Sequence, residues 1–149
     1  MDPISIISVI SGALGLVDKF VSIVRTVRHE PPKPFSVEAK QEGGALVISH
    51  DGIPNETVPA KQLNLNMWDS TRFQSLQRVV EIQWKLYNGY NEKRLLAGYA
   101  EQVQLEVLME EQQKDLCKNF KEMISISEKV LGVSLGDHYS LYSCCGNGN

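Results

Sequence analysis

The stretch MDPISIISVISGALGLVDKFVSIV constrains this chain more than any other, because no charged residue falls between Asp2 and Asp18. Asp2 is a suitable N-cap and Pro3 suits the first helical position, where its missing N–H costs nothing, so a helix is expected over residues 1–28, ended by HEPPKP. On a helical wheel Ser5, Ser8, Gly12, Gly15, Lys19, Ser22 and Thr26 recur at alternating spacings of three and four, with Ser11, Asp18 and Arg25 beside them. The opposite arc carries Ile6, Val9, Ile10, Ala13, Leu16, Val17, Phe20, Val21, Val24 and Val27. Over the first four turns the polar side is only serine and glycine, and Ser8-x-x-x-Gly12 and Ser11-x-x-x-Gly15 are pairs of the kind that let a second helix approach closely.

Such a helix suits either the centre of a soluble core or a membrane. The uncharged part from Pro3 to Val17 covers about 22 Å, short of the roughly 30 Å of a hydrocarbon core. Extending it to Val24 reaches about 33 Å but includes Asp18 and Lys19, each unfavourable by roughly 2.5–3.5 kcal/mol at the bilayer centre. Several copies turning their Ser/Gly/Lys/Asp faces inward would remove most of that penalty. The stretch lacks the basic leading segment and small-residue cleavage site of a secretory signal, and is expected to be retained.

This opening resembles the first helix of HeLo and HeLo-like domains, the cell-death modules of fungal NLR-type immune receptors, and of their bacterial Bell counterparts. Those chains often begin Met-Asp-Pro and continue into a hydrophobic Gly/Ser-containing helix and a helical bundle. The resemblance covers about 25 residues and implies a membrane-targeting first helix released on oligomerisation, in a cell-death or immune-defence setting.

Beyond the first helix, the chain is expected to complete a single α+β, mainly α domain over 1–149, a helical bundle with a β-hairpin insertion and two or three C-terminal helices. FSVEAK and ALVIS flank QEGG, whose glycines suit a hairpin turn, so Phe35 to Ser49 reads as a hairpin within a 35–67 hairpin-and-loop region. HDGIPNETVPAKQLNLN, with two prolines, reads as loop with a short edge strand near Leu63 to Asn66. A helical region follows over 69–131. Its first helix, capped by Asp69 or Ser70, carries Phe73, Leu76, Val80, Trp84 and Tyr87, widened by Val79, Ile82 and Leu86, and is expected to be well buried. NGYNE offers a break at Asn88 to Asn91, before a long helix through Leu131 that EEQQKD can bend. Residues 132–149 form a short tail with two tyrosines able to pack back.

The composition excludes several classes. A net charge of -3, with Lys and Arg scattered rather than striped among aromatics, argues against nucleic acid. His29, His50 and His138 form no recognised catalytic or metal motif, so no enzyme, metal or cofactor is expected. Asp137, His138 and Tyr139 are the polar cluster best placed for chemistry if joined by a distant carboxylate, although a turn cap at Asp137 and a surface or satisfied His138 side chain account for them more simply. Three cysteines make no disulfide framework or metal spacing, and a reducing compartment is the default. Cys144-Cys145 reads as an incidental exposed pair rather than an acylation site.

The function expected is that of a non-enzymatic self-assembling or membrane-targeting effector. Ile6, Ile10, Leu14 and Val17 would make lipid or core contacts, while Ser8, Gly12, Gly15 and Lys19 would sit on the face where helices meet. Its partners would be a protein or a second copy of itself in a homo-oligomer, with membrane lipid on activation and a cytoplasmic location before it. The alternative is a soluble adaptor or accessory subunit whose first helix is permanent core and whose C-terminal helices bind a protein partner.

Overall fold

The computed structural model describes residues 1–33, 35–139 and 141–145. Helix α1 spans Pro3–Val27. Asp2 caps it, accepting from the Ser5 N–H and hydroxyl at 2.9 Å each, and these bonds hold the Asp2 carboxyl below its ordinary range. At the other end His29 takes a positive φ of 56°, and the chain turns back with the Glu30 N–H on the Arg25 carbonyl at 2.9 Å.

Strands β1 (Val37–Glu42), β2 (Ala45–His50) and β3 (Ile53–Pro59) form one antiparallel sheet in that order. The expected hairpin is present: Gly43 and Gly44 both have positive φ at the two-residue turn, and Glu42 pairs with Ala45. The third strand corrects the reading of 51–59 as loop. Asp51 and Gly52, at φ 52° and 82°, make a second two-residue turn that pairs His50 with Ile53. β3 is an edge strand, where Pro54 and Pro59 need not donate to a further neighbour. The edge strand expected near Leu63 to Asn66 is replaced by short 3₁₀ turns at Ala60–Gln62 and Leu65–Met67.

Helix α2 (Ser70–Leu96) starts on Asp69, whose carboxylate accepts from the Arg72 N–H at 3.0 Å. It runs unbroken through Asn88 to Asn91, and the break falls instead at Ala97–Gly98, before α3 (Tyr99–Leu131). EEQQKD does not interrupt α3, which is about 50 Å long at 1.5 Å per residue. Gly132 ends it in the left-handed conformation, φ 73°, with its N–H on the Glu128 carbonyl. α2 is less buried than its pattern predicts. Phe73, Leu76, Val80 and Tyr87 are core, but Val79, Ile82 and Leu86 are 45%, 63% and 44% exposed because α1 and α3 together cover only one side of it.

The tail packs back on the body, as expected for Tyr139, which is wholly buried. It forms two short helices, α4 (Gly136–Tyr139) and α5 (Leu141–Cys145), that bury Leu135, Tyr139, Leu141 and Cys144. The Asp137 and Tyr142 side chains and residues 146–149, which the tail reading included, lie outside the described residues. The architecture is thus mainly helical with a small three-stranded antiparallel sheet.

α1 is the centre of this arrangement. Phe20 is wholly buried, its ring 5.5 Å from that of Tyr87 on α2 and 5.1 Å from that of Phe120 on α3. On the sheet side Ser11 donates its hydroxyl to the Ala39 carbonyl of β1 at 2.7 Å. Val37, Leu46, Ile48 and Val58 from the three strands join the same core.

Candidate functional site

The α1 residues singled out from sequence divide by face. Ile6, Ile10, Leu14 and Val17 are all buried in the core. Ser8, Gly12 and Lys19 are exposed and Gly15 is half-buried. The two sets lie on opposite sides of one helix because their spacings of three and four keep each set in its own stripe.

The small-residue side is only partly covered: Ser11 is held by β1 and Gly15 is half-buried, while Ser8 and Gly12 are exposed. A Cβ placed on Gly12 or Gly15 would meet nothing within 4 Å, so among the described residues no element uses the close approach that these glycines permit. Gly12, Ala13 and Leu16 instead form one side of an open groove whose other side is Gln77, Val80 and Glu81 of α2. The charged residues of the polar side are partly engaged at its C-terminal end. Asp18 accepts from Lys33 at 2.8 Å, and the Arg25 guanidinium donates to the Pro31 carbonyl at 2.9 Å.

Among the described residues α1 is the one helix long and apolar enough to cross a membrane. It has 25 residues, and its most apolar 18-residue window has a mean hydropathy of 1.8 with 44% of that window buried. The same values suit a core helix.

The three cysteines correct the expectation of unconnected thiols. Cys117 of α3 and Cys145 of α5 are joined by a disulfide closing a separation of 28 residues. Cys144 is not an exposed neighbour of that bond but a buried thiol, its sulfur 3.6 Å from that of Cys145 and donating to the Leu141 carbonyl at 3.3 Å. Burial pushes its pKa up to about 11, partly opposed by the positive charge of Arg28 and Arg25. Sequence spacing could not reveal this, since the return of α5 onto α3 is what closes the distance. The one available signal was Cys117 between Leu116 and Phe120 on the apolar face of α3.

Of the two expectations for His138, a surface or a satisfied side chain, the second holds: it is buried and hydrogen-bonded. Its Nδ1 lies 2.7 Å from Nε2 of His50 on β2, whose own Nδ1 is 3.1 Å from the Asn55 amide nitrogen. Phe35 stacks on the His50 ring with centroids 4.0 Å apart. The pair joins the sheet to the tail. Asp137, proposed beside His138, has its side chain outside the described residues.

No family model matches the chain, and comparison with curated proteins and with solved structures gives no match.

Proposed function

We propose that the chain is a non-enzymatic effector that acts by self-assembly through α1, with membrane targeting as a later state of the same helix. The observation that supports this is the division of α1 into a core-forming apolar arc and a small-residue side that is open at Ser8, Gly12 and Gly15. The stripe can receive a helix of a second copy while the apolar arc stays in place, so assembly requires no unfolding.

Release to a membrane is a different matter energetically. Ile6, Ile7, Ile10, Leu14, Val17, Phe20, Val21 and Val24 are buried α1 side chains, and exposing each is unfavourable by roughly 1.5–3 kcal/mol. Their sum reaches or exceeds the whole stability of an ordinary domain, about 5–15 kcal/mol. α1 therefore does not leave a folded body on its own; transfer has to be coupled to a bilayer that covers the same surface and to rearrangement of the helical bundle around it. A cell-death or immune-defence role, which the resemblance of the first 25 residues implies, fits that sequence of events.

The test is sedimentation and dye leakage from anionic liposomes with the full chain and with Gly12→Leu/Gly15→Leu. Both new side chains start in open space, so the variant is expected to fold as a monomer, to lose the oligomer and to lose leakage. Unchanged oligomer size and unchanged leakage would reject the reading. Deleting residues 1–28 is less informative, because it removes the centre of the core.

The second reading is an adaptor that binds a protein partner through the α2–α3 hairpin, with α1 as permanent core. A specific observation favours it: Leu95, Leu96 and Tyr99 at the turn of the hairpin are 65%, 92% and 84% exposed. Val79, Ile82 and Leu86 continue along α2 as an exposed stripe at spacings of three and four. Retention of oligomer size in Gly12→Leu/Gly15→Leu, with loss of association in Leu95→Ser/Leu96→Ser, would move the assignment to this hairpin.

A further inference from the structure

All three cysteines of the chain converge on one point. Their sulfurs lie within 4.8 Å of one another, although Cys117 is on α3 and Cys144 and Cys145 are on α5. A structural disulfide needs two of them. The third, Cys144, is buried and held against the other two, which a bystander thiol does not require.

We infer that, once the Cys117–Cys145 disulfide is reduced, Cys117, Cys144 and Cys145 form a trithiolate site for a soft, thiophilic cation, with Cu(I) the best match.

Two thiolates on one ion at a metal–sulfur distance of about 2.3 Å stand roughly 3.8–4.0 Å apart, in tetrahedral or trigonal geometry. The Cys144 and Cys145 sulfurs are already at 3.6 Å. The bonded pair reaches the same spacing by side-chain rotation after reduction. Among the described residues no His, Asp or Glu joins the group. An all-sulfur set of three suits Cu(I), which soft thiolate ligands favour, better than Zn²⁺, which would want a fourth ligand.

Charge balance agrees. Three thiolates around Cu(I) carry a net charge of about -2. Arg28 and Arg25 act on Cys144 electrostatically, offset in part by Glu30, and Lys121 donates to the Cys145 carbonyl at 3.4 Å. Binding displaces the thiol protons, so affinity for the cation falls as the pH is lowered.

The chemistry closes as follows. Two equivalents of a monothiol, or one of a dithiol, deliver two electrons and two protons to the Cys117 and Cys145 sulfurs and leave as their own disulfide. The incoming Cu(I) then forms three metal–sulfur bonds, and three thiol protons pass to solvent. The disulfide and the metal are thus alternative fastenings of α5 to α3, the second available in a reducing compartment where the first does not persist.

The experiment uses the full chain, reduced and freed of reductant without oxygen, then titrated with Cu(I) in competition with a chromophoric chelator. One equivalent bound, about three protons released, and protection of all three thiols from iodoacetamide are expected. Cys144→Ser keeps the disulfide-forming pair and so retains a native fold in its oxidised form, checked by circular dichroism. Reduced, it is expected to bind Cu(I) at least about tenfold more weakly, since losing a ligand costs no less than losing an outer-shell partner. Equal affinity in Cys144→Ser, alkylation of the thiols despite bound Cu(I), or retention of Zn²⁺ against Cu(I) would each overturn the assignment.

Discussion

Lys33 Nζ sits 2.8 Å from Asp18 Oδ1, with only 5% of the Lys33 side chain exposed, so the charge that interrupts the apolar run of α1 is neutralised from the segment just after the helix. The same ammonium lies 5.8 Å from the centroid of the Tyr139 ring, which brings α1, the following loop and α4 to one point. Removing one partner of such a pair leaves the other partly buried and unpaired. Lys33→Ala is expected to destabilise by about 1–3 kcal/mol, below the 3–5 of a fully buried pair because Asp18 keeps some contact with water. Urea unfolding of the variant checks it, and Asp18→Asn/Lys33→Met should recover part of the loss.

The Tyr139 hydroxyl in that cluster is buried and makes no hydrogen bond to the described residues. Tyr139→Phe removes a buried polar group that no described residue satisfies and keeps the ring beneath Lys33. It is expected to leave stability unchanged or raise it by about 1 kcal/mol, read from the thermal midpoint. A clear loss would show that the hydroxyl has a partner in solution.

Alkaline pH should loosen the fold in a defined order. Burial raises the Cys144 thiol from 9.0 to about 11, and raises the Tyr87 and Tyr139 phenols as well. The folded state favours the protonated forms, so their contribution is complete below the unfolded values. It falls as pH rises past about 9 and is lost through about 11 for Cys144, with the tyrosines following at higher pH. Urea midpoints measured across this range should decline, and Cys144→Ser should flatten the earliest part of the decline.

Gly12 and Gly15 lie in the interior of α1 with open space where a Cβ would go. Alanine at either position is expected to raise stability by about 0.5–1 kcal/mol, because glycine loses more backbone freedom in a helix. Together with loss of assembly in the leucine variants, a more stable monomer would show that these glycines serve association rather than folding. Destabilisation by alanine would instead indicate a contact inside the chain.

Phe20→Ala should be the most damaging of the single changes considered, at about 3–5 kcal/mol, since its ring meets Tyr87 and Phe120 at the middle of the core. Lys19→Ala, one residue away on the exposed stripe, should change stability by less than about 0.5 kcal/mol. Denaturation of the pair measures directly how sharply the two faces of α1 differ.

The local features of this protein are legible in its sequence because each depends on neighbours a few residues apart. The Asp2 cap, the two faces of α1 and the Gly43-Gly44 turn follow from side-chain chemistry and from the periods of helix and strand. β3 was also written locally, in Asp51-Gly52, but its prolines suggested a loop, and only its place at the sheet edge makes them acceptable. Exposure on α2 was not legible: Val80 and Ile82 are both apolar, yet one is core and the other 63% exposed, because the positions of α1 and α3 decide which side is covered. The links that give the candidate sites their character are decided at the same level. Cys117 with Cys145, His50 with His138, and Phe20 with Tyr87 and Phe120 are distant in sequence, and chain folding alone sets whether such groups meet. Periodicity assigns a side chain to a face; the packing of whole elements assigns that face its partner.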